Sequence, residues 1–143
     1  MCILSHYSTI RSGAFLSRAD RIQPDTPLWL VAVRAAESKK ATEIKVLDLT
    51  GVTSFTDYFV VCTGANSRQV QAITDEIGLT LKELGEFPIS VEGYNQAEWV
   101  LADYGDFLVH VFSPKAREYY DLERLWRHGK NVPIPSSEVS QRA

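Results

Sequence analysis

The chain has 143 residues, 45% of them hydrophobic and 23% charged, which is the make-up of one globular domain with a core of its own. Its 15 Lys and Arg face 18 Asp and Glu, for a net charge of -3. That balance argues against a protein that grips nucleic-acid phosphates with a basic surface, and leaves open one that docks on a protein component of a nucleoprotein particle. Cys2 and Cys62 form neither a disulfide framework nor a zinc-ligand pattern, and they suit a reducing compartment. No run approaches the roughly 18 apolar residues that span a bilayer.

Residues 1–25 carry Arg11, Arg18 and Arg21 and no acid before Asp20. A transit peptide has such a composition, as do a disordered extension and a misplaced start. Thr26-Pro27 then opens a helix over about 27–40, with Leu28, Val31, Ala32 and Ala35 at helical spacing and Lys39 and Lys40 at the negative end of its dipole. Glu43 to Leu49 alternates as a half-buried strand. Tyr58 to Thr63 is a β-branched apolar run, a central strand covered on both faces, in which Cys62 serves as a small buried hydrophobe. Asn66 and Ser67 are N-cap candidates for a helix that aligns Val70, Ile73, Ile77, Leu81 and Leu84 and stops at Gly85.

Pro88 to Val91 is a short strand ended by Glu92-Gly93. Glu98 to Tyr104 sets Trp99, Leu101 and Asp103 against Val100, Ala102 and Tyr104, and Gly105-Asp106 turns the chain into a strand over Phe107 to Phe112, an antiparallel hairpin. Ser113-Pro114 starts the last helix, with Tyr119, Leu122, Leu125 and Trp126 on its apolar side and Glu123 spaced to pair with Arg127. Leu125 and Trp126 are assigned to the core. The two prolines after Asn131 mark a disordered end. The order α-β-β-α-β-β-β-α predicts a mixed α/β domain: a five-stranded sheet flanked by helices over residues 26–128, an extension over 1–25 and a flexible tail over 129–143.

Three places are weighed for chemistry. The turn from Thr63 to Arg68 joins a strand to a helix start, where anions bind, yet it has neither a dinucleotide nor a P-loop glycine pattern. The carboxylates Asp48, Asp57, Glu92, Asp103 and Asp106 lack the spacing of two acids two residues apart on one strand face that a divalent ion would need. His110 has no second ligand near it in sequence and no Gly-x-Ser-x-Gly elbow to serve, so it reads as a hydrogen-bonded sheet residue. Neither metal nor cofactor is expected. The dense aromatics of Trp99, Tyr104, Phe107, Phe112, Tyr119, Tyr120 and Trp126 remain: either all seven are core, or a cluster of them stays partly exposed and suits an interface.

Asp57-Tyr58-Phe59-Val60-Val61-Cys62-Thr63-Gly64, Ser67-Arg68-Gln69, Glu92-Gly93, Trp99-Val100-Leu101-Ala102-Asp103-Tyr104-Gly105-Asp106, Val109-His110-Val111-Phe112 and Arg117-Glu118-Tyr119-Tyr120-Asp121-Leu122-Glu123-Arg124-Leu125-Trp126 occur in that order and at compatible spacing. Together they resemble the ribosomal silencing factor (Iojap-like) family, from about Leu28 to Trp126. The resemblance implies a fold similar to nucleotidyltransferases without that activity. It implies binding to the large ribosomal subunit at its ribosomal protein number fourteen, where the small subunit would dock, and a steric block to subunit joining when nutrients are short. An acidic protein with an aromatic patch fits a basic protein partner. The hairpin is expected to present Trp99, with Leu101, Tyr104 and His110, to that partner, because a hairpin at the sheet's end leaves one face free of helix. The competing reading is a nucleotidyltransferase-like enzyme or a nucleotide-binding regulator that uses the Gly64–Arg68 turn. The expected setting is the bacterial cytoplasm, with an organelle as the other, and a free sheet edge allows a homodimer in the unbound protein.

Overall fold

The structure, a computed structural model, describes residues 25–136. In chain order its elements are α1 Leu28–Ser38, β1 Thr42–Asp48, β2 Tyr58–Thr63, α2 Ser67–Glu83, β3 Ser90–Glu92, β4 Trp99–Asp103, β5 Phe107–Phe112, α3 Pro114–Tyr120, α4 Leu122–Leu125 and β6 Lys130–Asn131. The strands form one mixed sheet in the order β3-β4-β5-β2-β1-β6. Its centre is the parallel pair β2 and β5, in register from Tyr58 opposite Phe107 to Thr63 opposite Phe112. These are the two most continuously apolar strands, as burial on both faces requires.

Because strand side chains alternate between faces, each strand splits its apolar residues into two cores. One face carries Val46, Val60, Cys62, Val100, Val109 and Val111 beneath α1 and α2, whose Val31, Ala32, Ala36, Val70, Ile73, Ile77 and Leu81 are buried against them. The other carries Leu47, Phe59, Val61, Leu108 and Phe112, all buried against Ala116 of α3 and Leu122 of α4, with the partly exposed Trp99, Leu101 and Trp126 packed at its margin. Asn66 caps α2 by accepting from Gln69 N–H at 2.9 Å, and Ser113 Oγ caps α3 by accepting from Ala116 N–H at 3.2 Å. Both bonds fill donors that a helix start leaves open.

Three features differ from the sequence expectation. The sheet has a sixth strand, because Lys130 and Asn131 pair antiparallel with Asp48 and Leu47 of β1. Val132 and Ile134 then pack against the first core, and Pro135 accepts a 2.6 Å bond from Arg34 Nη2. The stretch expected to be a flexible tail is therefore docked as far as these bonds reach. The last helix is also broken in two at Asp121, which sits in the left-handed region at φ 47, a conformation that aspartate tolerates better than most residues. The break turns Leu125 outward, 69% exposed, while Trp126 stays against the second core. Residues 1–24 and 137–143 lie outside the described residues.

The break also redirects Glu123. It pairs with Arg117 across the kink at 2.6 Å instead of with Arg127. Arg117 is buried and donates a second bond, 2.8 Å, to Thr63 Oγ1 at the end of β2. Burial alone would raise the Glu123 carboxyl, but the hydrogen bond and charge of Arg117 outweigh it and hold the group below its usual range. Glu123→Gln leaves a buried guanidinium without a counter-charge. It is expected to lower stability by about 1–2 kcal/mol in urea melts, less than a fully buried pair because the glutamate reaches solvent.

Candidate functional site

The face of the sheet opposite α1 and α2 carries a continuous row of aromatic rings, buried in the middle and exposed at its ends. Phe55 meets Trp126 at 5.8 Å between centroids, Trp126 meets Phe59 at 5.4 Å, and Phe59 meets His110 at 4.5 Å. The row continues from His110 to Trp99 at 6.0 Å, Tyr120 at 4.6 Å from Trp99, and Tyr119 at 5.0 Å from Tyr120. Four elements, with Phe59 from β2 among them, and two connecting segments build it. Trp99 opens β4, opposite Phe112, and His110 lies in β5, opposite Leu101. Tyr119 and Tyr120 end α3, while Phe55 lies in the loop before β2. The ends of the row reach solvent: Phe55 is 58% exposed and Tyr119 is 78%.

At its centre, Trp99 Nε1–H donates to His110 Nδ1 at 3.1 Å. An indole nitrogen can only donate, so Nδ1 is bare and the neutral imidazole carries its proton on Nε2. That Nε2 is buried and has no hydrogen-bond partner. Burial pushes the His110 pKa down to about 3, so the ring stays uncharged. The indole's single donor is spent inward, and the part of Trp99 that remains accessible is carbon.

The four residues expected to share this face do not all do so. Trp99, Leu101 and His110 lie on it together. Tyr104 packs on the opposite side, stacked on Phe107 at 5.2 Å against the first core, because the strand's two-residue period carries it there. His110 is buried and supports the surface without forming part of it. Tyr119 and Tyr120, counted in the aromatic set but not assigned to the docking face, are exposed members of the row, and Phe55 is the exposed member that the sequence reading left out. A lone phenylalanine in the polar run Thr53-Ser54-Phe55-Thr56 was the available signal.

Acidic residues neighbour two of the rings in sequence, Glu98 beside Trp99 and Glu118 beside Tyr119. Glu98 and Glu118 are exposed, and Ser113 Oγ donates to Glu98 at 2.7 Å. Beside α3 an open cleft of about 530 Å³ is lined by Glu43, Lys45, Arg117, Glu118, Asp121 and Glu123. The carboxylates weighed for chemistry have local duties: Asp48 accepts from Thr50, and Asp103 accepts from Gly105 N–H at 2.8 Å in the hairpin turn. The Gly64–Arg68 turn is closed by its own side chains, since Ala65 N–H donates to Gln69 Oε1 at 2.6 Å and Gln69 N–H to Asn66. Two amides that a phosphate would use there are engaged. Among the described residues no group of three or more His, Cys, Asp or Glu is placed to hold a metal ion.

Residues 23–143 match the family described as "Ribosomal silencing factor during starvation". The chain belongs to the ribosomal silencing factor family. Ribosomal silencing factor RsfS of Bacillus subtilis is 44% identical over 96 residues, 67% of this chain and 81% of its own length. A crystal structure from Bacillus halodurans shares 42% identity and a TM-score of 0.66, covering 75% of this chain and 96% of that one. More distantly, a mouse protein named "Mitochondrial assembly of ribosomal large subunit protein 1" is 29% identical over 97 residues, 66% of this chain and 42% of its own length. The family expected from the motifs is thus borne out. So is the mixed sheet flanked by helices that they implied, here with its sixth strand.

Proposed function

We propose that this chain docks through its aromatic face on the large ribosomal subunit, at ribosomal protein number fourteen, and blocks the small subunit from joining. Translation falls because the site of joining is occupied, with no bond made or broken and no cofactor required. The observation that carries this reading is the packed row of rings from Phe55 to Tyr119, whose middle is buried and whose Phe55, Tyr119, Tyr120 and part of Trp99 reach solvent. Large rigid rings supply the anchors of protein interfaces, and exposed acids beside them, Glu98 and Glu118, on a chain of net charge -3 complement a basic ribosomal protein. The capped Gly64 turn weighs against the nucleotide-binding alternative.

Co-sedimentation with isolated large subunits tests the reading, with small subunits added as competitor. Trp99→Ala is expected to cost about 2 kcal/mol of binding, roughly 30-fold in Kd, with an unchanged circular dichroism spectrum. Equal affinity of Trp99→Ala and the parent chain would sink the docking face. The setting that fits this reading is the bacterial cytoplasm. Among the described residues the edge strand β3 has no neighbour on its outer side, carries exposed Val91 and follows exposed Phe87 and Ile89, which supports a homodimer through that edge. Sedimentation velocity of the free chain measures it, and a concentration-independent monomer excludes it.

A further inference from the structure

We propose that His110 is a positioning residue: it holds the Trp99 indole in its docking pose, and the chain accepts a buried unpaired donor to do so. The inference rests on the docking reading and adds to it what fixes the anchor. Trp99 lies at the first residue of β4, only half-buried, where a side chain of this size is otherwise free to swing. Its ring touches Phe112 at 5.2 Å and Tyr120 at 4.6 Å, and both contacts are tilted apolar packing that several orientations would satisfy. The bond from Trp99 Nε1 to His110 Nδ1 is the directional contact among them. It selects one indole orientation.

The acceptor is itself immobilised. His110 lies at the middle of β5 between β4 and β2, with Leu101 on one side and Val61 on the other. Phe59 stands edge to face against it at 4.5 Å, and Phe112 is stacked at 6.2 Å. A phenylalanine or leucine would fill the same apolar slot without stranding a polar atom. Histidine leaves Nε2–H buried and unmatched, a standing penalty that packing alone does not require. What histidine adds is the bare Nδ1. Holding an interface ring in its bound orientation beforehand raises affinity by removing the cost of ordering it on contact.

The test combines a spectroscopic signature with a double-mutant cycle. The indole N–H resonance of Trp99 is assigned by its loss in Trp99→Phe. In His110→Phe that resonance is expected to move upfield and its solvent exchange to speed up at least tenfold, while affinity for isolated large subunits falls about tenfold. His110→Asn places an amide oxygen near the Nδ1 position and is expected to retain both the resonance and most of the affinity. His110→Gln reaches the Nε2 position instead, and behaves like His110→Phe even where the phenylalanine variant folds poorly. In the Trp99→Phe background, which has no indole donor, His110→Phe is expected to change affinity less than twofold. An equal loss in both backgrounds, or an asparagine variant as weak as the phenylalanine one, overturns the positioning role. If Trp99→Ala itself binds like the parent chain, the docking reading fails, and that result is separate from either.

Discussion

Gly93→Ala is expected to lower the unfolding free energy by about 3–4 kcal/mol, the severe end of single substitutions. Gly93 follows β3 at φ +82, and a Cβ built there would lie 2.2 Å from the carbonyl oxygen of Trp99. No flexible side chain is available to yield, because the obstacle is the backbone of β4. The loop is tied at both ends: Gly93 C=O accepts from Ala97 N–H at 2.9 Å, and Glu92 is already paired with Leu101. Gly51 is the matched control, with the same φ of +82 and nothing within 4 Å of the added carbon. Gly51→Ala should show only the conformational term, about 1 kcal/mol. Urea denaturation of the two variants measures the difference, and equal costs would show that the close approach to Trp99 is not what requires glycine. The clash falls on the carbonyl of the anchor residue, so Gly93→Ala should also weaken docking more than its stability loss explains.

The faces of the sheet were readable in the sequence wherever a strand alternates. Glu98 to Tyr104 separates Trp99 and Leu101 from Val100, Ala102 and Tyr104 by its period alone, and the structure keeps that separation. Grouping Tyr104 with Trp99 let shared aromatic character override the period. In Phe107 to Phe112 every residue is buried, so the phase that puts His110 beside Trp99 has no polar marker and comes only from the strand register. The caps at Asn66 and Ser113 were visible because capping depends on residue type within one turn.

Long-range and exceptional backbone features were not visible. The strand Lys130–Asn131 is polar and two residues long, and what holds it is β1, remote in sequence. Pro133 and Pro135 suggested a free end, yet Val132 and Ile134 find apolar surface and Arg34 reaches the backbone at Pro135. Likewise the apolar spacing from Tyr119 to Trp126 is consistent with one helix. The left-handed turn at Asp121 that breaks it gives Glu123 to Arg117 and directs the chain that lays Trp126 against Phe59. One end of the row therefore depends on one residue's φ, which hydrophobic periodicity does not encode.

Acid destabilisation should carry the mark of His110. In the folded protein burial keeps the ring neutral down to about pH 3, whereas in the unfolded chain an ordinary histidine takes up its proton near pH 6.5. Between those values the unfolded state binds one more proton than the folded state, so stability rises with pH and is lost as pH falls below about 6.5. The slope approaches about 1.4 kcal/mol per pH unit, or roughly 2–3 kcal/mol between pH 6.5 and 4.5. The depressed carboxyls of Asp48 and Glu123 also lose stability toward acid, but they are present in parent and variant alike and cancel in the comparison. His110→Asn removes the titrating group while keeping an acceptor for Trp99, so its stability should decline much less steeply over the same interval. Urea melts at half-unit steps from pH 7 to 4.5 measure the two curves. If they run parallel, the imidazole is exchanging protons in the folded state, and the closed, neutral environment described for it is wrong.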